Sequence, residues 1–227
     1  MQPITQFIAQ TTDLSRRAAE VEVRDGRVRV NGKKALLGAR VDPLKDRVEY
    51  KGKILAAKTG TATTIVLYKP VGYISSRKKD ETDAPTVMEL LPPELQHLKP
   101  VGRLDKESEG LLLLTDDGDL LYHATHPKFQ TEKEYLIEFE EYIPDGVIEK
   151  WRKGIKLTEG LAKADIVERK GRKKLRVVIH QGFNRQLRRM AGSSGAAIIG
   201  LVRVRSGDII LGTLKEGKWR ALAPGKK

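Results

Sequence analysis

The 227-residue chain contains no cysteine, which excludes disulfides, thiolate catalysis, iron–sulfur clusters and cysteine zinc sites together. Its four histidines, at 97, 123, 126 and 180, are scattered, so no metal site is expected. Aromatic residues make up 5% of the chain, which leaves Val, Ile and Leu to build the core of a sequence that is 39% hydrophobic. The longest apolar stretch, near Ala196–Val202, is far short of the ~20 residues of a membrane span. The opening MQPITQFIAQ has no basic start followed by an apolar run, so no secretory signal is expected. These absences describe a soluble, cytoplasmic protein with no membrane partner. Acids are also in deficit: 30 Asp and Glu face 43 Lys and Arg, a net charge of +13. That excess suits a polyanionic partner, because each basic side chain that neutralises a phosphate releases condensed counterions.

At ~150 residues per domain, the length allows one to two domains. Residues 1–59 read as a compact module. Ile4, Phe7 and Ile8 have the spacing of a short helix, and Asp13 or Ser15 caps a second one running through Glu22 to near Gly26. Arg27–Val30 then alternates basic and apolar residues before Asn31-Gly32, a strand entering a hairpin. This module holds 13 basic and 7 acidic residues, net +6. Residues 56–63 look like a linker.

From residue 60 the texture changes. Strands are expected at 65–68, 111–114, 135–139, 175–179, 197–204, 208–211 and 218–222. Helices are expected at 86–91, 119–124, 147–153 and 184–192, the last capped by Asn184. The basic run 169–174 reads as a hairpin tip. The mixed order favours an α+β fold with a largely antiparallel sheet over a doubly wound one.

Two constellations are chemically dense. Gly102-Arg103-Leu104-Asp105-Lys106-Glu107-Ser108-Glu109-Gly110 places a carboxylate between glycines, beside an arginine and before an apolar strand; taken alone, a charged surface loop leading into a core strand is the commoner meaning of such a pattern. Gly182-Phe183-Asn184-Arg185-Gln186-Leu187-Arg188-Arg189-Met190 sets three arginines at i, i+3 and i+4, one face of a helix. That face suits either solvent or a combination of phosphates and a buried carboxylate.

Lys69-Pro70-Val71-Gly72, Gly102-Arg103-Leu104-Asp105 with Ser108 and Gly110, Lys133-Glu134-Tyr135, and Asn184 through Met190 resemble the ordered motifs of bacterial pseudouridine synthases. The resemblance is to the branch acting on ribosomal RNA. Residues 14–17 and 25–32 are similar to the S4 RNA-binding domain that precedes the catalytic domain there. The resemblance implies a small S4-like α/β domain over 1–59 and a catalytic domain over 60–227, isomerising a uridine to pseudouridine in ribosomal RNA without a cofactor.

On the same footing, Asp105 matches the catalytic aspartate, either adding to the sugar or deprotonating C2′. Arg188 matches its cationic partner. Tyr135 matches the residue that stacks on the base, and Leu187 packs beneath it. Arg103 holds the backbone or fills the gap left by the flipped nucleotide, while Asn184, Arg185 and Arg189 bind RNA. In the first module, Ser15, Arg16, Arg17, Arg27 and Arg29 form a phosphate-binding surface. The Lys69–Gly72 turn is read as structural. The implied partner is ribosomal RNA or a ribosome assembly intermediate, met by a monomer. A non-catalytic assembly factor with the same fold, or the same chemistry on transfer RNA, are the alternatives. The chain departs from the family pattern with Ser108 for a threonine and Gln181-Gly182-Phe183 for Glu-Gly-Arg.

Overall fold

The computed structural model describes residues 1–57 and 62–223. The chain divides into two compact units, Met1–Thr61 and Ala62–Lys227. Residues 58–61 of the expected linker at 56–63, and with them the boundary at 59/60, lie outside the described residues.

The first unit runs β1 (Gln2–Pro3), α1 (Ile4–Thr11), α2 (Arg16–Arg24), β2 (Val28–Val30), β3 (Lys33–Lys34), β4 (Arg40–Val41), β5 (Val48–Tyr50) and β6 (Lys53–Leu55). Ile4, Phe7 and Ile8 on α1 meet Ala19 and Val23 on α2 and Val28, Val41 and Val48 from the strands in one core. Of the two expected caps, Ser15 serves: its side chain accepts a hydrogen bond from the Ala18 N–H. Four strands pair antiparallel in the order β3-β2-β5-β6. Both of its tight turns, Asn31-Gly32 and Lys51-Gly52, have two successive positive φ values, as a two-residue hairpin matched to strand twist requires.

The second unit continues with β7 (Thr64–Lys69), β8 (Lys99–Val101), β9 (Glu109–Thr115), α3 (Gly118–Thr125), β10 (Lys133–Phe139), α4 (Asp145–Lys153), β11 (Ile155–Leu157), β12 (Gly160–Ala162), β13 (Ile166–Gly171), β14 (Lys174–Ile179), α5 (Gln186–Gly192), β15 (Ile198–Ser206), β16 (Ile209–Ile210) and β17 (Trp219–Ala221). Its main sheet follows β13-β14-β10-β15-β9-β7-β17, with β8 joined to β9 and β16 to β15. Strand β15 runs parallel to β9, and the other pairings of this sheet are antiparallel.

Strand β9 explains its own sequence. Leu112 and Leu114 enter the large core with Trp151, Phe139 and Met190, while Leu111 and Leu113 enter a second core with Val66 and Val101. A strand covered on both faces loses the apolar–polar alternation, and each buried leucine contributes ~1.5–3 kcal/mol. The expected helix at 86–91 is a 3-10 turn over Val87–Leu90, closed by a capping box between Thr86 and Glu89. Tight turns by Pro92-Pro93 keep it from lengthening.

Strand β9 meets β15 only at Glu109 and Gly110. Beyond them β8 takes that edge, pairing with Leu113–Thr115. The loop joining β8 to β9 therefore stands where two strands part, and Gly110 makes the approach possible. A Cβ there would lie 2.4 Å from the Arg203 carbonyl oxygen, and its φ is +103°.

Candidate active site

The loop 102–108 is held by its own carbonyls. The Ser75 hydroxyl donates to Leu104 O at 2.9 Å while accepting from the Leu104 N–H. Asp105 O accepts from the Ser108 N–H and Lys106 O from the Gly72 N–H. Glu107 O takes a 2.6 Å bond from Arg188, and Ser108 O one of 2.6 Å from the Lys69 ammonium. Five successive carbonyls are thus committed, which fixes the backbone of Asp105 before any ligand arrives.

Lys69, from the turn read as structural, is fully buried. Its Nζ reaches Ser108 O, Pro70 O at 2.9 Å and Lys106 O at 3.5 Å. Burial lowers its pKa to about 8, against the raising charges of Asp105 and Glu107.

This loop forms one wall of a cleft of about 590 Å³, within the ~300–1,000 Å³ usual for small-ligand sites. Tyr135 from β10 and Leu187 from α5 line it with Leu104 and Leu201. Both Tyr135 and Leu187 are buried, at 7% and 4% exposure. Cations line it too: Arg103, Lys133, Arg185, Arg188 and Arg203. Asp105, half-buried, is the one acid among these lining residues. No described side chain hydrogen-bonds or ion-pairs with its carboxylate, yet its charge is felt at Lys69, Arg185 and Arg188.

The arginine segment differs from the sequence expectation. Helix α5 begins at Gln186, not at Asn184, and Arg185 before it is left-handed at φ 47°. Asn184 makes no cap; instead the Gln186 side chain accepts from the Phe183 N–H. The left-handed residue takes Arg185 off the helical period, so the three arginines do not share a face. Arg185 pairs with the Glu107 carboxylate at 2.5 Å. Arg188 grips Glu107 O, and its second bond goes to Ile198 O at 3.5 Å. Its Nε is buried without a partner among the described residues. Burial lowers the Arg188 pKa, although a guanidinium stays charged in any protein site. Arg189 turns away to Glu159 and Thr158, and that bond holds the Glu159 carboxyl down near about 2.

Residues 63–193 match the RNA pseudouridylate synthase family. The chain belongs to that family. The match starts just before β7 and ends just after α5, and so takes in Lys69, Asp105, Tyr135 and Arg188. The Bacillus subtilis protein described as ribosomal large subunit pseudouridine synthase B is 34% identical over 99% of this chain and 93% of its own length. A Xanthomonas campestris protein of the same description is 38% identical over 91% of this chain, which spans 44% of that protein. A crystal structure of a pseudouridylate synthase superposes with a TM-score of 0.70 at 28% identity, covering 98% of this chain and 96% of that one.

RNA pseudouridine synthases are isomerases, and in this one the residues named from sequence separate into several groups. Asp105, Tyr135, Arg188, Arg103, Leu187, Asn184 and Arg185 meet at the cleft. Arg189 points elsewhere. In the first unit, Ser15 spends its hydroxyl on a cap, and Arg27 pairs with Glu22 and Asp25. Arg29 donates to Gly32 O. Arg16 and Arg17 are exposed with no partner among the described residues. Sequence reasoning missed Lys133, Arg203 and Ser75. Lys133 donates to Thr131 O and His180 O, and burial with the Arg203 charge lowers its pKa to about 8. Arg203 is buried and donates to Leu111 O at 2.7 Å. For Arg203 the signal on offer was a basic residue inside the apolar strand β15.

Proposed function

We propose that this enzyme converts a specific uridine of ribosomal RNA to pseudouridine, with Asp105 as the catalytic carboxylate. The observation that carries the reading is the state of Asp105: a lone, unpaired acid on a clamped loop, facing Tyr135 and Leu187 across a cationic cleft. Isomerisation breaks the N1–C1′ bond, turns the base and forms a C5–C1′ bond, while N1 takes up a proton and C5 loses one. Addition of the carboxylate to C1′ and abstraction at C2′ both need it ionised, and a bound base that desolvates it works against that. Arg188 opposes this loss. Its guanidinium feels the Asp105 charge and its buried Nε–H is unspent among the described residues.

Tyr135 stacks on the uracil and Leu187 supports it. Arg103 and Arg185, exposed at the rim, take phosphates or the space the flipped nucleotide vacates. Extracting a base from a stack costs a few kcal/mol, which a substrate site in an RNA loop and the net charge of +13 offset. The first unit acts as an S4-like RNA-binding domain, with Arg16 and Arg17 among its free cations. The substrate is met in the cytoplasm as ribosomal RNA or an assembling subunit. The large-subunit description of the relatives above favours large-subunit RNA.

The test is tritium release from 5-tritiated uridine in ribosomal RNA transcripts. Asp105→Asn should release none while keeping RNA affinity within about five-fold, since it removes only an acid from the cleft. Full release by that variant refutes the assignment.

A further inference from the structure

Helix α3 and the 3-10 turn after it (Pro127–Phe129) bury none of their residues, yet they carry four rings in mutual contact. Tyr122 meets Phe129 edge-on with centroids 5.6 Å apart, His123 lies 4.4 Å from Phe129, and His126 lies 4.9 Å from Tyr122. Tyr122 and Phe129 are each 38% exposed. The Lys128 ammonium stands 5.1 Å from the Tyr122 centroid and 4.6 Å from that of Phe129. In a chain with 5% aromatic residues, such a cluster would serve stability better inside a core.

The rings are set rather than loose. His123 Nδ1 donates to Asp119 O at 2.7 Å, and His126 Nδ1 accepts from the Lys128 N–H. The Thr131 hydroxyl ties the far end of the turn to His123 O at 3.3 Å. The same segment runs on into the cleft, where Thr125, His126 and Gln130 line the wall with Asp105 and Arg103.

We propose that Tyr122, His123, His126, Phe129 and Lys128 form a stacking platform for an unpaired nucleotide of the substrate RNA next to the target uridine. The inference rests on the proposed action at Asp105 and extends that site by one subsite. Turning a uridine into the cleft strips its neighbour of a stacking partner. An exposed ring beside the cleft replaces that partner, and every base has a face that suits it. The cation over the rings gives the adjoining phosphate a counter-charge. Continuity with the cleft and complementarity of charge together identify RNA as the occupant.

The test uses the full chain and two substrates. One is an unstructured RNA oligonucleotide carrying 2-aminopurine between uridines; the other is a 5-tritiated ribosomal RNA transcript. Wild type should quench the 2-aminopurine on binding. Phe129→Ala should weaken binding and raise KM by roughly five-fold or more, the loss of one stacked base, with kcat within about two-fold. Phe129→Tyr should restore both. Tyr122→Ala should behave like Phe129→Ala, and melting curves should show that the variants fold. If Phe129→Ala does not fold, the wild-type quench and Lys128→Gln decide: no quench and unchanged affinity overturn the platform. Unchanged Kd and KM in folded Phe129→Ala and Tyr122→Ala overturn it as well. Tritium release with insensitive variants sinks the platform alone. Sensitive variants with no release from wild type sink the proposed reaction instead.

Discussion

The Lys69 ammonium donates a 2.6 Å hydrogen bond to the carbonyl oxygen of Ser108, three residues beyond Asp105, and does so entirely out of solvent. A buried cation with no carboxylate partner is costly, and here carbonyl dipoles of the loop replace the missing counter-charge. Lys69→Met fills similar space but leaves those carbonyls without a donor. We expect a stability loss of roughly 1–3 kcal/mol and a fall in kcat of about ten-fold or more as Asp105 shifts. RNA affinity should hold, because Lys69 never reaches the surface. Chemical denaturation and single-turnover kinetics on the same preparation separate the two effects.

The same burial sets a pH dependence. The pKa of Lys69 and that of Lys133 lie at about 8 in the fold, below their ordinary 10.5. Between those values the unfolded chain holds protons that the native chain has released, so this linkage makes stability rise with pH. Activity should move the other way. A neutral amine has two N–H donors for three carbonyls, and the loop slackens. We expect kcat to decline with a midpoint near pH 8 in wild type and in Lys133→Arg, and Lys69→Arg to lack that limb. A flat kcat from about pH 7 to about pH 9.5 would remove Lys69 from this role.

Gly110 tests the geometry that puts the loop in place. Any side chain there meets the Arg203 backbone, not a movable side chain, and requires φ +103°. Gly110→Ala should cost about 3 kcal/mol or more, combining backbone strain with a forced separation of β9 from β15. Gly102→Ala, also at positive φ but meeting only the Thr125 methyl at an ordinary 3.9 Å, should cost only about 1 kcal/mol. Equal losses in denaturant melts would mean that the close approach is not what Gly110 provides.

Much of this was legible in the sequence, for identifiable reasons. Alternation at Arg27–Val30, the turn at Asn31-Gly32 and the unbroken Leu111–Leu114 run each reflect local backbone geometry or full burial. So strands and hairpins fell where the pattern put them. The start of α5 did not, because helical spacing assumes right-handed residues and Arg185 is left-handed. That one dihedral separates three arginines that look equivalent in the sequence. Arg185 and Arg188 turn to the loop, and Arg189 turns to the β11–β12 hairpin. Lys133 and Arg203 were missed as site residues for another reason. Their partners are main-chain carbonyls, which every residue supplies, so no residue type marks the pairing.

Salt dependence distinguishes cations that are free from those already paired. Arg16 and Arg17 have no partner among the described residues, whereas Arg27 is held by Glu22 and Asp25. If the first unit grips phosphates, Arg16→Gln with Arg17→Gln should lower the slope of log Kd against log salt by roughly 1–2, and Arg27→Gln by much less. Glu107→Gln makes the opposite change at the cleft. It releases Arg185 from a surface ion pair at a stability cost of about 0–1 kcal/mol, and leaves the Glu107 carbonyl that Arg188 holds. The freed guanidinium should tighten RNA binding and steepen the slope by about 1. Filter binding across a salt series reads all three variants, and a slope indifferent to Glu107→Gln would mean that Arg185 meets no phosphate.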